Sequence, residues 1–387
     1  MRGPAGLLVL LAVAAATGVA AAADRFVPTD SGFVVANVRQ AQPDERLRDL
    51  LLAWRANPAT AESVALASAY IERARSLREP AFFGRAEAVL APLASKLDAN
   101  GSLRRLYAEV LQYRHDFAGA ENLLDALLRE TPHDPDARLL RASVRLVRGE
   151  FAGARADCAQ LAVGAGNGAT LGFACLAEAL AGEGSLDRAL SLLNSSPAQH
   201  ADADSLARAY LLATRAELRE RSGDLNGAIV DYCEALKLAP RDDSIRAALA
   251  DALTARGDAG DARDLLAIDK PSLALLVRSA ALSEGARRQE LSARAASWLA
   301  LEVARGDKPH LREAAMFALA NGDAAGALAA ASRNFEIQKE LADVRVLARA
   351  ASAADDARAL SSLQSWLRET GYRDSVTEGI LDMGQRS

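Results

Sequence analysis

The sequence predicts an all-α fold, a right-handed α-solenoid of about eight stacked helix-turn-helix repeats, and three observations support it. First, alanines recur at steps of 34, 34, 35, 39 and 34 residues: Ala86, Ala120, Ala154, Ala189, Ala228 and Ala262. Second, a turn residue stands five positions before each of the last five alanines: His115, Gly149, Gly184, Gly223 and Gly257. Third, 50% of the residues are hydrophobic but only 5% are aromatic. Self-similarity at such a period indicates a stacked repeat protein.

Small side chains explain why this pattern folds as stacked helix pairs. An alanine at the crossing point lets two antiparallel helices touch, while larger residues fill the space beside it. One pair cannot bury its apolar face alone, so stacked neighbours must complete the core. The chain carries 46 basic and 51 acidic residues, a net charge of −5. This mildly acidic balance argues against nucleic-acid binding, which needs clustered Lys and Arg.

The N-terminal residues 1–23 read as a signal peptide. Arg2 precedes an apolar run over residues 7–19, and four alanines, residues 20–23, stand before Asp24. This order of positive, apolar and small residues is typical of a cleaved secretory signal. The alternative is an uncleaved anchor, which the short, alanine-rich apolar run disfavours. No later stretch is long and apolar enough to span a membrane. We therefore expect an exported protein, periplasmic or secreted.

The elements that follow the signal can be taken in order. Residues 24–43 contain the extended piece Gly32–Val35 between Pro28 and Pro43 and are expected to form an extended N-terminal arm. Helices are then predicted over residues 45–54, 60–78 and 84–97. The solenoid is expected over residues 44–276, with regular repeats over 67–276.

The unit at residues 209–242 shows the repeat pattern most plainly. Its pattern residues are Leu212, Ala216, Gly223-Asp224, Ala228, Tyr232, Ala235 and Pro240. Here the sequence resembles the tetratricopeptide repeat (TPR) family, and the resemblance covers residues 68–276 and returns at 308–341. It departs from the family at Arg215 and Arg219, which stand where apolar residues are usual.

The whole chain is also similar to exported bacterial TPR proteins without an assigned activity. The stretches that carry this similarity are His115-Asp116-Phe117, Asp157-Cys158 and His310-Leu311-Arg312-Glu313. Beyond residue 276 the repeat loosens. Divergent TPR-like hairpins are expected over residues 277–371, and a tail or cap over 372–387.

Three cysteines would lie in an oxidising compartment after export. Cys158 falls on the second helix of one unit and Cys175 on the first helix of the next, so a disulfide between adjacent repeats is feasible. The alternative is that both are small buried residues. Cys233 is left over and is expected to be a buried, inert thiol.

The TPR resemblance implies a concave groove lined by the first helix of each repeat. Family ligand contacts fall at the second, fifth, ninth and twelfth to thirteenth positions of each unit. The ninth position reads Arg75, Glu109, Ser143, Glu178, Glu217 and Asp251. Further lining candidates are Arg105, Tyr113, Tyr210 and Arg221. The acidic row favours a basic or mixed-charge protein or peptide partner; the alternative is an ordinary solvated face. The Lys and Asn clamp of the family's chaperone-tail binders is absent.

A second polar group is predicted near the start of a late helix. Its members are His310, Arg312, Glu313, Asn334 and Gln338. Asn334 stands where the pattern expects a small apolar residue, so its amide needs a hydrogen-bond partner. The group is read either as a binding spot or as a structural network between the last repeats.

Two functional hypotheses follow. The first is a non-enzymatic exported scaffold that binds a protein or peptide in its groove. The alternative is a periplasmic small-ligand receptor or envelope-enzyme accessory with its site at His310, Arg312 and Glu313. No catalytic residue, cofactor motif or metal-ligand spacing is found in the sequence. The glycine-rich residues 164–168 follow no predicted strand and read as an inter-repeat loop.

Overall fold

The structure, a computed structural model, describes residues 44–77, 81–163, 166–194, 203–305 and 310–384. The predicted signal peptide and the predicted arm at residues 24–43 lie outside these described residues. Within them the regular elements are helices, with no strand. The predicted all-α solenoid of stacked hairpins is confirmed.

The helices follow one another in antiparallel pairs. In chain order they are α1 (Glu45–Ala56), α2 (Thr60–Leu77), α3 (Ala81–Leu90), a 3₁₀ helix (Ala91–Ala99), α4 (Gly101–Tyr113), α5 (Phe117–Glu130), α6 (Pro135–Arg148), α7 (Phe151–Ala162), α8 (Gly166–Gly182), α9 (Leu186–Asn194), α10 (Ser205–Ser222), α11 (Leu225–Leu238), α12 (Asp243–Arg256), α13 (Ala259–Leu266), α14 (Leu273–Leu282), α15 (Gly285–Arg305), α16 (Leu311–Ala320), α17 (Ala324–Ile337), α18 (Leu341–Ala353), α19 (Ala357–Thr370) and α20 (Ser375–Gly384). Between α1 and α20 the described residues form nine hairpins, from α2–α3 to α18–α19, where the sequence predicted about eight. Helix α8 begins inside the glycine-rich stretch that was expected to be a loop.

Local chemistry at the turns produces the 34-residue repeat. Gly149, Gly223 and Gly257 each end a first helix in the left-handed conformation, with φ of 75°, 92° and 101°. Glycine adopts this conformation without the Cβ penalty of other residues. Asp224 then caps the next helix, because its carboxylate accepts a hydrogen bond from the Gly227 amide at 2.9 Å. Each turn therefore stops one helix and starts its antiparallel partner.

The core of the solenoid lies where the helices cross. All six alanines of the 34-residue pattern are fully buried. Around them pack larger apolar side chains such as Leu124, Leu186 and Tyr232. The predicted role of the alanines as close-packing residues is thus what the structure shows.

The solenoid also closes on itself, which the repeat pattern did not predict. The turns of four successive hairpins, α4–α5 to α10–α11, lie against loops and the start of α20 in the C-terminal part. The paired positions are His115 with His310, Gly149 with Lys339, Gly184 with Gly371, and Gly223 with Ser375. We call this row of contacts the seam. At its second position the Lys339 amide donates to the Val147 carbonyl at 2.7 Å.

Buried side chains hold the seam together. The Arg221 guanidinium lies over the Tyr372 ring, 3.8 Å from its centroid, and the same ring packs against Phe151. Arg345 on α18 forms ion pairs with Glu220 on α10 and with Asp374, the latter at 2.7 Å. Helix α20 packs along α10. The part of the chain predicted as a tail or cap therefore includes a helix that contacts the central repeats.

Candidate functional site

Most charged residues along the predicted groove are neutralised by a neighbour on the next first helix. Glu109 on α4 pairs with Arg75 on α2 and with Arg105, both at 3.0 Å. Asp251 on α12 pairs with Arg278 on α14 at 2.6 Å. These carboxylates and guanidinium groups mainly hold consecutive repeats together, because each charge already has an opposite partner.

Glu178 on α8 and Glu217 on α10 are different. Among the described residues neither carboxylate has an ion-pair partner. The Tyr210 hydroxyl donates a hydrogen bond to Glu178 at 3.1 Å and so joins α8 to α10. Burial, followed by the negative charges of Glu217 and Glu340, raises the pKa of Glu178 to about 8. Burial likewise raises the pKa of Glu217 to about 7, against the opposing effect of Arg221.

These two acids lie beside a face of α10 that also carries exposed apolar side chains. Leu206, Tyr210 and Glu217 occupy one stripe of α10, because residues four and seven apart share a helix face. Exposure falls along this stripe: Leu206 is 67% exposed, Tyr210 is 37% exposed, and Glu217 is half-buried. At the far end Arg221 is only 2% exposed. We call this surface, with Glu178 beside it, the cleft.

The seam closes the inner end of the cleft. Arg221 donates from Nη2 to the Ala181 carbonyl at 2.9 Å and from Nε to the Arg373 carbonyl at 3.0 Å. These two hydrogen bonds hold the Arg221 guanidinium group at the seam. Glu340 from the α17–α18 loop acts on both acids of the cleft. The surface is thus exposed at its Leu206 end, half-buried at the two acids and buried at its Arg221 end.

The predicted groove residues do not form one site. Glu178, Tyr210 and Glu217 come together in the cleft, with Arg221 behind them. Arg75, Arg105 and Glu109 form the separate ion-pair group on α2 and α4, and Asp251 lies on α12. Tyr113 is 38% exposed and stacks on Phe83, with ring centroids 3.9 Å apart. Ser143 accepts a hydrogen bond from Gln112 at 3.1 Å.

The second predicted group is a network between α16, α17 and α18. Arg312 pairs with Glu340 and, through Nη2, donates to Asp343 at 2.8 Å. The Asn334 side-chain amide also donates to Asp343, at 2.7 Å, and Asp343 is fully buried. Gln338 lies beside it, since its backbone amide donates to the Asn334 carbonyl at 2.8 Å. Glu313 is buried nearby on α16.

Two features of this network are not explained by packing alone. The Asn334 side-chain carbonyl oxygen is buried and has no hydrogen-bond partner among the described residues.

His310 contacts Glu302 through Nδ1 at 2.6 Å, and its ring faces the His115 ring across the seam with centroids 5.8 Å apart. Burial, then the charges of His310 and Arg312, lowers the pKa of His115 to about 4. His115 is therefore neutral at physiological pH.

Sequence reasoning missed one recurring arrangement. Asp157 on α7 is buried and receives hydrogen bonds from Arg141 and Arg145 on α6, at 2.6 and 2.9 Å. Asp231 on α11 is likewise buried between Arg215 and Arg219 on α10, at 2.6 and 2.7 Å. The same spacing, two arginines four apart and an acid twelve residues after the second, occurs in both repeats and was readable in the sequence.

The predicted disulfide is confirmed: Cys158 on α7 and Cys175 on α8 are bonded, with Cα atoms 5.5 Å apart. Cys233 is free and half-buried rather than fully buried. Among the described residues no group of three or more His, Cys, Asp or Glu side chains is arranged to hold a metal ion. In the same part of the chain, none of the helices combines the length and apolarity that a membrane span requires.

Comparison with solved structures identifies the fold. A chain of the APC/C hetero-tetramer Cut9–Hcn1 superposes on this chain with a TM-score of 0.51 at 13% identity. The match covers 88% of this chain and 66% of that chain. A tetratricopeptide repeat protein from Parabacteroides merdae is 12% identical over 79% of this chain and 99% of its own, with a TM-score of 0.39. A thermophilic TPR protein of Thermus thermophilus is 22% identical over 51% of this chain and 98% of its own, with a TM-score of 0.38.

No protein-family model and no curated protein sequence matches the chain. The described residues have the fold of tetratricopeptide-repeat proteins, as the sequence pattern indicated.

Proposed function

We propose that this protein is a non-enzymatic scaffold that binds a partner protein through a segment of basic or mixed charge, held in the cleft. One observation carries the proposal above the others: Glu178 and Glu217 are the two carboxylates of the predicted groove row that have no cationic partner among the described residues. The other charged residues of that row are already paired within the chain. A binding surface of this fold is the concave side of its stacked repeats.

The residues of the cleft define the chemistry of the segment. A lysine or arginine side chain reaching the inner end would meet both carboxylates. Its apolar neighbours would contact Leu206 and the Tyr210 ring at the mouth, where both are exposed. Hydrogen bonds to charged groups contribute about 1.5–3 kcal/mol each in partly buried sites. The preferred segment therefore combines a basic residue with adjacent apolar residues.

Binding of short labelled peptides, followed by fluorescence anisotropy, tests this proposal. The peptides should differ in net charge at fixed apolar content, and separately in apolar content at fixed charge. We expect the basic, apolar peptides to bind best. The double variant Glu178→Gln, Glu217→Gln should bind them about tenfold more weakly or worse, which corresponds to about 1.4 kcal/mol.

A matched control is Glu234→Gln, which changes an exposed glutamate of α11 that is paired with Lys237 outside the cleft. It should bind like the unmodified protein. Affinity should also increase as pH rises through about 7 to 8, because both carboxylates must ionise to attract a cation. Equal binding by the double variant, or preference for acidic peptides, would show that the cleft is not the site.

Export is part of the same proposal. It is supported by the signal-like residues 1–23 and by the Cys158–Cys175 disulfide, a bond typical of oxidising compartments. Cell fractionation with N-terminal sequencing of the mature chain tests it. Recovery of the protein outside the cytoplasm, starting at Asp24, is the expected result. An uncleaved cytoplasmic chain would refute it.

A second candidate function is favoured by the orphaned side-chain carbonyl oxygen of Asn334. A small ligand carrying a hydrogen-bond donor could satisfy it beside Arg312 and Asp343. Thermal-shift screening of cell-wall fragments and metabolites tests this, since a ligand at 100 times its Kd stabilises by about 2.7 kcal/mol. A true ligand should lose its effect in Asn334→Ala. If no compound stabilises the protein, the network is structural.

A further inference from the structure

A groove separates the second helices of two neighbouring hairpins, α6–α7 and α8–α9. It lies between α7 and α9, has α8 as its floor, and has a volume of about 380 Å³. On α8 the floor residues are Leu176 and Leu180. Glu178, which stands between them in the sequence, belongs to the opposite side of the helix, because successive helical residues are about 100° apart. The cleft and this surface, which we call the α7–α9 groove, therefore lie on opposite sides of α8.

Each of the three helices contributes two groove residues that are one helical turn apart. They are Arg155 and Ala159 on α7, Leu176 and Leu180 on α8, and Arg188 and Leu192 on α9. Residues four apart share a helix face, so each pair forms a short stripe along the groove. Because α8 runs antiparallel to α7 and α9, both arginines lie at the end of the groove where α8 passes into α9. The other end is apolar.

The arginine end of the groove has a surplus of positive charge. Arg155 has an acidic partner, since its Nε donates to Glu183 at 2.8 Å. Arg188 is exposed and has no ion pair among the described residues. Asp187, the acid next to it in the sequence, lies 3.8 Å from Arg373 of the C-terminal part. One guanidinium group at this end is therefore left for an external carboxylate.

The floor of the groove is apolar and is held by a covalent bond. Leu180 is buried and Leu176 is half-buried, and both line the groove. Ala159 and Leu176 directly follow Cys158 and Cys175, which form the disulfide. This bond fixes α7 against α8 at the floor. A rigid surface lowers the conformational entropy that is lost on binding.

We propose that the α7–α9 groove is a second docking site, which binds a helical segment of a partner protein that carries apolar side chains and a carboxylate. The apolar side chains pack on Leu176 and Leu180, and the carboxylate pairs with Arg188. An amphipathic helix in a groove uses anchors with this spacing. The apolar floor disfavours a wholly polar segment, and the surplus positive charge disfavours a basic one. The inference does not depend on the proposed function, because the cleft lies on the other side of α8.

Fluorescence anisotropy with three labelled peptides of equal length tests this proposal. The first peptide carries two leucines one helical turn apart and a glutamate one turn further. The second has glutamine in place of the glutamate, and the third has serine in place of both leucines. The first should bind best, the second about three- to fivefold more weakly, and the third at least about tenfold more weakly, because burying leucine contributes more than an exposed ion pair. For the same reason the first peptide should bind more weakly than the basic, apolar peptides of the cleft.

The variant Arg188→Gln tests where the carboxylate binds. It should lose about three- to fivefold in affinity for the glutamate peptide and bind the glutamine peptide as the unmodified protein does. The side chain is exposed, so the variant should fold normally. The matched control is Arg263→Gln, which changes an exposed arginine of another second helix, α13, and should bind all three peptides normally.

The cleft variant Glu178→Gln, Glu217→Gln should bind the glutamate peptide like the unmodified protein. Three results would overturn the inference: no binding of this peptide, binding that Arg188→Gln leaves unchanged or lowers equally for the glutamine peptide, or binding that the cleft variant weakens. Failure of the basic peptides to bind would concern the cleft alone, because the glutamate peptide and Arg188 report only on the α7–α9 groove.

Discussion

The stack of central hairpins and the seam are both interfaces between helical hairpins, yet they are built differently. Within the stack, contacts join neighbouring helices through fully buried alanines and leucines such as Ala120, Leu124 and Ala228. Across the seam, contacts join segments more than a hundred residues apart through the Arg345–Glu220 ion pair, turn backbones and Tyr372, which belongs to one buried apolar cluster with residues of α6–α8 and α16–α19. The repeat unit therefore encodes the stack, whereas the closure brings the turn residues of four repeats against C-terminal residues far away in the chain.

The largest effect is expected at the seam. Arg345→Ala leaves Glu220 and Asp374 buried without their cation, and breaking a buried ion pair in this way costs about 3–5 kcal/mol. Urea unfolding followed by circular dichroism measures the loss. The matched control is Arg287→Ala, which removes an exposed pair with Glu290 and should change stability by less than about 1 kcal/mol. Equal, small effects of both variants would mean that the seam contributes little to stability.

Removing the disulfide measures how much this bond stabilises the stack. Replacing both Cys158 and Cys175 with serine should lower the free energy of unfolding by about 3 kcal/mol, since the bond closes a short loop of separation 17. The loss should be the same in the Arg345→Ala background if the stack and the seam are independent. A double-mutant cycle measures this. A strong coupling between them would show that the two interfaces are one cooperative unit.

Glycine substitutions compare close packing in the stack with an open position on α20. A Cβ on Gly182, at the end of α8, would overlap the Phe151 ring, so Gly182→Ala should destabilise by about 1–3 kcal/mol. Gly379 in α20 has open space around it and helical conformation, so Gly379→Ala should stabilise by about 0.4–1 kcal/mol. Thermal and urea unfolding report both. The same sign for the two variants would contradict this packing.

The pH dependence of stability reports on the cleft and is the smallest of these effects, because Glu178 and Glu217 are partly exposed. Their folded pKa values, about 8 and about 7, lie above the ordinary value of 4.5. The folded state therefore keeps protons that the unfolded state releases, and stability falls as pH rises from about 4.5 to 8.

The double variant Glu178→Gln, Glu217→Gln should show a shallower fall than the unmodified protein in urea titrations across that window. His115 acts in the opposite direction between about 4 and 6.5, where its lowered pKa makes stability rise with pH. It is present in both proteins, so it cancels in the difference. Parallel stability curves for the two proteins would mean that neither carboxylate is perturbed in the folded state.

The local part of this architecture was predictable from the sequence. The alanine period, the turn glycines and the aspartate caps act between residues close in the chain, so they located the hairpins and the disulfide between α7 and α8. The buried acids Asp157 and Asp231 were predictable for the same reason, because each pairs with two arginines of its own hairpin. Arg215 and Arg219 looked like departures from the family pattern, but their partner Asp231 lies within the same hairpin and repeats the arrangement at Asp157.

The candidate site was only partly predictable. The predicted groove row contained Glu178 and Glu217, but nothing in the row distinguished them from Glu109 and Asp251, whose arginine partners neutralise them. The difference depends on which cations reach each carboxylate in three dimensions. It also depends on Glu340, which is far away in sequence and approaches only because the seam closes. Contacts between residues so far apart in the chain produce no periodic pattern in the sequence.

The closure of the solenoid is most directly tested by a cysteine pair across the seam. A Cβ on Gly223 would lie 3.9 Å from the Ser375 Cβ, which is within the range that a disulfide requires. In a Cys233→Ser background, Gly223→Cys with Ser375→Cys should form an intramolecular disulfide on mild oxidation, detected by non-reducing peptide mapping. Two free thiols in the folded, oxidised protein, with Cys158–Cys175 still formed, would contradict the closed solenoid.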